Sequence, residues 1–566
     1  MSRTSPAYEA LLTQLRQAFP QPVSDQVHDA YLVFSILRAL DQVDQLKSQA
    51  PILGRPTRPD YAAARRSQLA DAPQSLEAVV PQLVRYLEGL LIWGHPRTQV
   101  NVIQQPGIAG IIGTILPATY NPNLCSEESG HLLAEAEVRV AAMIADLVGY
   151  DPLRATGAFT FGGTGCTLYG VKVGLEKALP GTLKAGLSRP AVVLASDQSH
   201  YCVQNVAAWL GLGSNRVRRV PTGPDNAILL PELEQTARAA LDAGEAIAAI
   251  VVTLGTTDAF GLDDLAGVCE IRDRLASEYR LPYLPHIHAD AVIGWAWSVF
   301  NDYDIVANPL GFRGRTVRAL AAATRRIGQL SRADSLGVDF HKTGYAPYIS
   351  SLVLFKERAD WERIGRPPES MPYLYHSGEY HPGMQTLETS RAGTSMLAAL
   401  GSLLSFGKEG LRTLLGHAVE MAETLREGVE AHPNLTVLND LNHGPVTLMR
   451  VYPDNVDTFT IKLREQTDPS LRGQVRLHNI YNRRIYEYVQ SEALAGRGIA
   501  ISLTDCYRST DYGEPLVALK SYVLSPFVEE RHMREIIEHV LAARTQIDIA
   551  AIENEQADKT EKESTG

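Results

Sequence analysis

Apolar positions along the chain change period as the chain proceeds. Over residues 1–95 they recur at helical spacing, as in "HDAYLVFSILRALDQV" and "SLEAVVPQLVRYLEGLLIWG", with few strand signals. "HLLAEAEVRVAAMIADLVGYDP" reads as a further helix, closed by Gly149 and Pro152. From about residue 155 to 360 short apolar runs ("AVVLAS", "IAAIVVTLG", "LPHIHAD", "ISSLVLF") alternate with helical stretches such as "LPELEQTARAALDAG" and "DLAGVCEIRDRLASEY". Such alternation predicts a mostly parallel sheet covered on both faces, with ligands beyond the carboxyl ends of its strands. After about 405 a long helix, "GLRTLLGHAVEMAETLREGVEAH", leads into the strand candidates "TVLND" and "VTLMRVY". A last helix follows, with Met533, Ile536, Ile537, Val540 and Leu541 on one stripe. The expected division is a helical segment at 1–95, a large domain at 96–405, a small α+β domain at 406–550 and a polar, disordered tail at 551–566.

The formal charge of −11 argues against a nucleic-acid partner. The N-terminus carries no sustained apolar run, and no stretch approaches the ~18 apolar residues of a membrane span. The five cysteines are scattered and form no C-x-x-C, which excludes a disulfide framework and points to the cytoplasm.

Candidate chemistry gathers at the predicted strand ends. "FTFGGTGCTLYGVKVGLEKA" places a glycine-rich turn before a helix, where free N–H groups suit a phosphate; a plain helix entry is the alternative. "HIHAD" sets His286, His288 and Asp290 on one face of a strand. A metal site is one reading, but ligands at i, i+2 and i+4 spread over about 13 Å, too far for one ion. "SDQSH" ends in His200, and "TLGTTDAFG" offers hydroxyls after a strand. In "SLGVDFHKTGYAPY", Lys342 stands beside His341. Burial is expected to lower the pKa of such a lysine and make its amine a nucleophile. A phosphate turn, a buried carboxylate, a stacking imidazole and a lysine together match the needs of pyridoxal phosphate.

In these motifs ("FTFGGTGCTLYG", "SDQSHYCVQNVA", "TLGTT", "HADA" and "ADSLGVDFHK", in this order over about 95–405) the chain resembles the group II pyridoxal-phosphate amino-acid decarboxylases. "HKTGYAPY" and "LETSRAG" resemble the bacterial tyrosine decarboxylase branch. The resemblance implies the aspartate-aminotransferase-like α/β fold and a homodimer with shared active sites, the N-terminal segment wrapping the partner. It implies that Lys342 is the Schiff-base lysine, that Asp290 pairs with the pyridine nitrogen and that His200 stacks on the ring. Thr164, Gly165 and Cys166 match the phosphate turn, Ser335 and His341 match phosphate-supporting positions, and Thr257 matches a residue touching the ring. Cys166 departs from the family's serine, and Val292 and Ile293 depart from its small and aromatic residues. Asp339 departs from its asparagine, and Phe340 from its proline. A carboxylate near a phosphate is unfavourable, so Asp339 is expected to point elsewhere or to pair with a base. Tyr348 matches a tyrosine near the substrate. The family's mobile loop corresponds to "RPPESMPYLYHSGEYHPGMQ", whose Tyr373, Tyr375 and Tyr380 are alternative proton donors. Arg391 matches a basic position that a structural salt bridge explains equally well.

The implied activity is decarboxylation of an L-amino acid, with an aromatic, tyrosine-like substrate expected. The rivals are an acidic substrate, another carbon–carbon lyase or aldehyde-forming oxidative decarboxylase on the same core, and a catalytically silent binding partner. The intact Lys342, Asp290 and His200 argue against the last.

Overall fold

The computed structural model describes residues 6–371 and 376–552. Among the described residues twelve strands form two sheets. In chain order they are β1 (Thr98–Gln99), β2 (Thr156–Thr160), β3 (Ala191–Ser196), β4 (Val217–Val220), β5 (Ala246–Thr253) and β6 (His286–Asp290). There follow β7 (Ser335–Asp339), β8 (Ser351–Phe355), β9 (Leu435–Val437), β10 (Val446–Val451), β11 (Ala500–Ser509) and β12 (Pro515–Tyr522).

The larger sheet runs β2-β8-β7-β6-β5-β3-β4, and within it β8 alone runs against its neighbours. Every residue of β3, β5 and β6 is buried, because helices cover both faces. That burial is why these strands read as continuous apolar runs rather than as alternation. Register sets the strand ends level: Thr253 on β5 pairs with Asp290 on β6, and Asp290 with Gly337 on β7.

The helix Gly163–Ala178 lies unusually close to this sheet. A Cβ on Gly170 would stand 2.3 Å from His288 Nδ1, and one on Gly174 2.3 Å from the Ala248 carbonyl oxygen. Two glycines one turn apart thus let the helix seat directly on β5 and β6, and the seat fixes where its N-terminus meets the strand ends.

The second sheet, β1-β11-β12-β10-β9, packs against the helix Arg472–Leu494, which the helix Glu530–Gln546 contacts in turn. Its first strand comes from residues 98–99, far from the rest in sequence, and pairs in parallel with β11. The long helix Thr394–Glu430 is broken at Gly407, where φ is +56°, and reaches both sheets' layers. The Lys520 ammonium, 2.7 Å from Asp258, ties β12 to the loop after β5.

Near the N-terminus, the helices Gln26–Asp44 and Leu76–Arg85 bury none of their residues within the chain. Among the described residues no helix is long and apolar enough to cross a membrane. The tail beyond residue 552, expected to be disordered, lies outside the described residues.

The glycine seat predicts a measurable cost. Gly174→Ala should lower unfolding stability by roughly 1–3 kcal/mol, because the carbonyl it meets belongs to a central strand and cannot give way. Chemical denaturation reads this directly, and an unchanged midpoint would show that the helix can shift without loss.

Candidate active site

A cavity of about 330 Å³ opens at the carboxyl ends of β5, β6 and β7. Thr253 and Asp290 enter it from strand ends, and Asp339 from the last residue of β7. The chain then turns into the short helix Phe340–Thr343, which delivers His341 and Lys342 to the same space. Gly163 and Thr164 enter from the start of the glycine helix. The turn before them needs Gly162, whose φ of +101° L side chains rarely adopt. His200 and Tyr201 enter from the loop after β3.

Charge in the cavity is closely paired. The Lys342 ammonium lies 3.0 Å from Asp339 Oδ2, and Asp339 is only 1% exposed. Ser351 donates a hydrogen bond of 2.6 Å to Asp339 Oδ1. Burial by itself pushes the lysine pKa down, as the sequence suggests, but Asp339 and Asp290 outweigh it and hold the pKa above the ordinary value. The expected depressed lysine is therefore corrected: the carboxylate that reverses the shift is three residues away along the chain. Asp339, expected to point elsewhere or to pair with a base, does the second.

Burial raises the Asp290 pKa, while Lys342 and His200 pull it back. Asp290 Oδ1 is buried and has no hydrogen-bond partner. His200 Nδ1 accepts the Cys202 N–H at 3.2 Å, so the neutral ring carries its proton on Nε2. Burial holds the His200 pKa below the ordinary histidine value, with Asp290 opposing. The His341 pKa is likewise lowered by burial. The Tyr348 ring lies tilted against His341, with ring centroids 4.1 Å apart, and is 54% exposed.

Of the residues picked out in the sequence, Thr164, His200, Thr257, Asp290, His341, Lys342 and Tyr348 line this cavity. Three do not. The N–H groups of Gly165 and Cys166 both bond to the Gly162 carbonyl oxygen. The Cys166 side chain is fully buried against Gly337 of β7. Ser335 begins β7 whereas Asp339 ends it, and four strand steps separate them by roughly 13 Å. Its hydroxyl instead bonds to His286 Nε2 and His288 Nδ1, each at 2.8 Å. Tyr201, Thr256 and Asp339 line the cavity as well; all three lie inside or next to the motifs already singled out.

Tyr373 and Tyr375 lie outside the described residues. Tyr380 is placed elsewhere: its hydroxyl donates to Glu137 Oε2 at 3.0 Å and to the Gly157 carbonyl at 3.2 Å. Arg391 forms a buried ion pair with the same Glu137 and donates to the Leu124 and Phe159 carbonyl oxygens. This cluster ties the segment after residue 376 to the core helix Leu132–Val148. Glu137→Ala should destabilise the fold by about 3–5 kcal/mol, since it strands a buried guanidinium. Tyr380→Phe should cost about 1.5–3 kcal/mol, the loss of a hydrogen bond to a charged group. Equal losses in the two variants, measured by denaturant unfolding, would contradict this ordering.

Comparison with known proteins places this geometry. Residues 59–449 match the pyridoxal-dependent decarboxylase conserved domain. The L-2,4-diaminobutyrate decarboxylase of Rhizobium meliloti (strain 1021) is 25% identical over 391 residues, covering 67% of this chain and 70% of that protein. The L-tyrosine decarboxylase of Enterococcus faecium is 24% identical over 345 residues, covering 57% and 53%. The crystal structure of mouse CSAD superposes with a TM-score of 0.73 at 17% identity, over 92% of this chain and all of that one. The chain belongs to the pyridoxal-dependent decarboxylase family, with the aspartate-aminotransferase-like fold, and its cofactor is pyridoxal 5′-phosphate. Relatives named for different amino acids match at similar identity, so the match identifies the family and no one branch of it. The cavity suits that cofactor: Asp290 Oδ1 is a buried acceptor without a donor, Lys342 supplies an amine, and the start of a 16-residue helix meets the cavity wall.

Proposed function

We propose that this member of the pyridoxal-dependent decarboxylases removes carbon dioxide from an L-amino acid with an uncharged aromatic side chain, using the cavity around Lys342. The observation that carries the reading is Asp290: a buried carboxylate oxygen with no donor, at the end of the strand beside Lys342, awaits a cationic N–H. The bound cofactor supplies a protonated pyridine ring that accepts the electron pair left when carbon dioxide departs.

The chain's residues divide the remaining work. Lys342 holds the cofactor covalently, and Asp290 keeps the proton on its ring nitrogen by charge pairing. His200, with its proton on Nε2, would offer a donor to the bound cofactor. Thr164 and the free N–H groups at the start of the glycine helix would hold the phosphate. Thr257 and His341 would line the same site. Tyr348 stands at the cavity mouth, where a phenol can return a proton to the α-carbon.

Among the described residues lining the cavity, Lys342 is the one lysine or arginine. A substrate with a second carboxylate would find Asp339 and no free cation, which disfavours acidic amino acids. The aromatic rings of Tyr201 and Tyr348 at the mouth favour a flat side chain. A second reading, a diamino acid, draws support from the same Asp339 carboxylate, which already binds one ammonium. A homodimer is part of the proposal, since Val27, Phe34 and Leu37 stand exposed on a helix that buries nothing within its own chain.

Carbon dioxide and amine release should be measured with tyrosine, tryptophan, 2,4-diaminobutyrate and aspartate. Turnover is expected with an aromatic substrate, and a preference for aspartate would overturn the charge argument. Borohydride should fix the cofactor to Lys342, and a label on any other lysine would refute the site. Tyr348→Phe should keep the cofactor attached while slowing turnover on the order of 10²–10⁴-fold, the usual cost of a lost proton donor. Full turnover in that variant would move the role to Tyr373 or Tyr375.

A further inference from the structure

The cavity contains one carboxylate more than a pyridoxal cofactor needs. Asp290 serves the ring nitrogen in the proposed site. Asp339 is held in place by the Ser351 hydroxyl at 2.6 Å and faces the Lys342 ammonium at 3.0 Å. It also lies next to the start of the glycine helix: a Cβ built on Gly163 would stand 3.0 Å from Asp339 Oδ2 and 3.4 Å from Oδ1. A buried negative charge therefore touches the residue that opens the cavity's anion-holding end. At 1% exposure little water screens it.

We infer that Asp339 weakens the chain's hold on the phosphate of its cofactor, and so sets the affinity with which the enzyme loads pyridoxal phosphate. The inference rests on the proposed site, with the phosphate at Gly163 and Thr164. In the cofactor-free chain Lys342 balances Asp339. Loading engages the lysine nitrogen with the cofactor and brings a phosphate dianion against the same carboxylate. Neighbouring groups do not cancel the clash. Asp290 adds a second negative charge, desolvation holds the pKa of both His200 and His341 below the ordinary histidine value, and His341 Nε2 stands 3.5 Å from Asp339. The phenol of Tyr348 carries no positive charge. Like charges in a poorly screened contact repel, and the repulsion falls on the phosphate rather than on the ring.

The test compares pyridoxal phosphate with pyridoxal, which has the aldehyde and ring but no phosphate. Cofactor-free full-length protein, wild type and Asp339→Asn, is titrated with each, and binding is read from the visible absorption of the lysine-bound form. Borohydride trapping and peptide mass spectrometry confirm Lys342 as the site. Asp339→Asn should gain about tenfold or more in affinity for pyridoxal phosphate over and above any gain for pyridoxal, which reads the change at Lys342 alone. Equal tightening of both would show that Asp339 acts through the lysine alone and would overturn the inference. Unchanged or weaker binding of pyridoxal phosphate would do the same. Asp339→Ser, read identically, covers the case in which the asparagine variant fails to fold. Wild-type protein that traps neither compound on Lys342 would refute the proposed site itself, whereas trapping without the differential refutes only the role of Asp339.

Discussion

The structure turns on one charge balance: a single lysine ammonium between two buried carboxylates. Taking a carboxylate out of water is costly unless an opposite charge or several hydrogen bonds replace the lost hydration. Asp339 has the Lys342 ammonium and the Ser351 hydroxyl. Asp290 has one oxygen with nothing bonded to it, and burial pushes its pKa up. Lys342 cannot neutralise both. The cofactor-free cavity is therefore short of positive charge, and the cationic N–H of a pyridinium relieves that shortage. In this view the same shortage that makes Asp290 uncomfortable when empty makes it selective for its ligand.

That balance exists because backbone geometry sets four distant segments at one edge. Parallel register levels Thr253 with Asp290, and the antiparallel pairing of β7 with β8 sets Asp339 opposite Ser351. The Asp339–Ser351 bond is thus a cross-strand pair, fixed by sheet register rather than by a flexible loop. The glycine helix reaches the same edge only because Gly170 and Gly174 let it lie flat on β5 and β6. Beneath the edge, His286, His288 and Ser335 form a buried polar cluster. Burial drives both imidazoles toward the neutral form, with His288 down to about 3. Neutral imidazoles add no cation near Asp290, which leaves the shortage intact.

The strands that were legible in the sequence are the ones buried on both faces, since "AVVLAS" and "IAAIVVTLG" carry their burial in every residue. β4, "VRRV", was not, because Arg218 pairs with Glu245 and Arg219 with carbonyl oxygens at the sheet's edge, hiding an apolar period. The helix Arg472–Leu494 was missed for a related reason: His478, Asn479 and Asn482 are buried polar residues bonded to Glu465 and to β10 and β12. At the site, the lysine, the strand-end aspartate and the histidine loop were readable because each follows an apolar strand directly. Ser335 was misplaced because nearness in sequence is not nearness in space along an extended strand. The lysine's raised pKa depends on local conformation: Asp339, the last residue of β7, faces the helix that follows it instead of solvent.

Electrostatic control of this kind weakens when water enters, so the openness of the mouth becomes part of the mechanism. Tyr201 and Tyr348 are 68% and 54% exposed, and Ile349 beside them is 51% exposed. Two tyrosine rings lining a charged cavity, with Ile349 next in sequence, neither bury their own surface nor keep solvent out. Elsewhere the helices Gln26–Asp44 and Leu76–Arg85 contact each other yet leave apolar side chains exposed among the described residues. A second copy laid across these surfaces would remove apolar area from water and lower the dielectric around Lys342 in one step. Stability of the assembly and strength of the charge pairing would then rise together. An isolated chain would hold every residue of the proposed site in place and still lack the dry surroundings in which those charges act strongly.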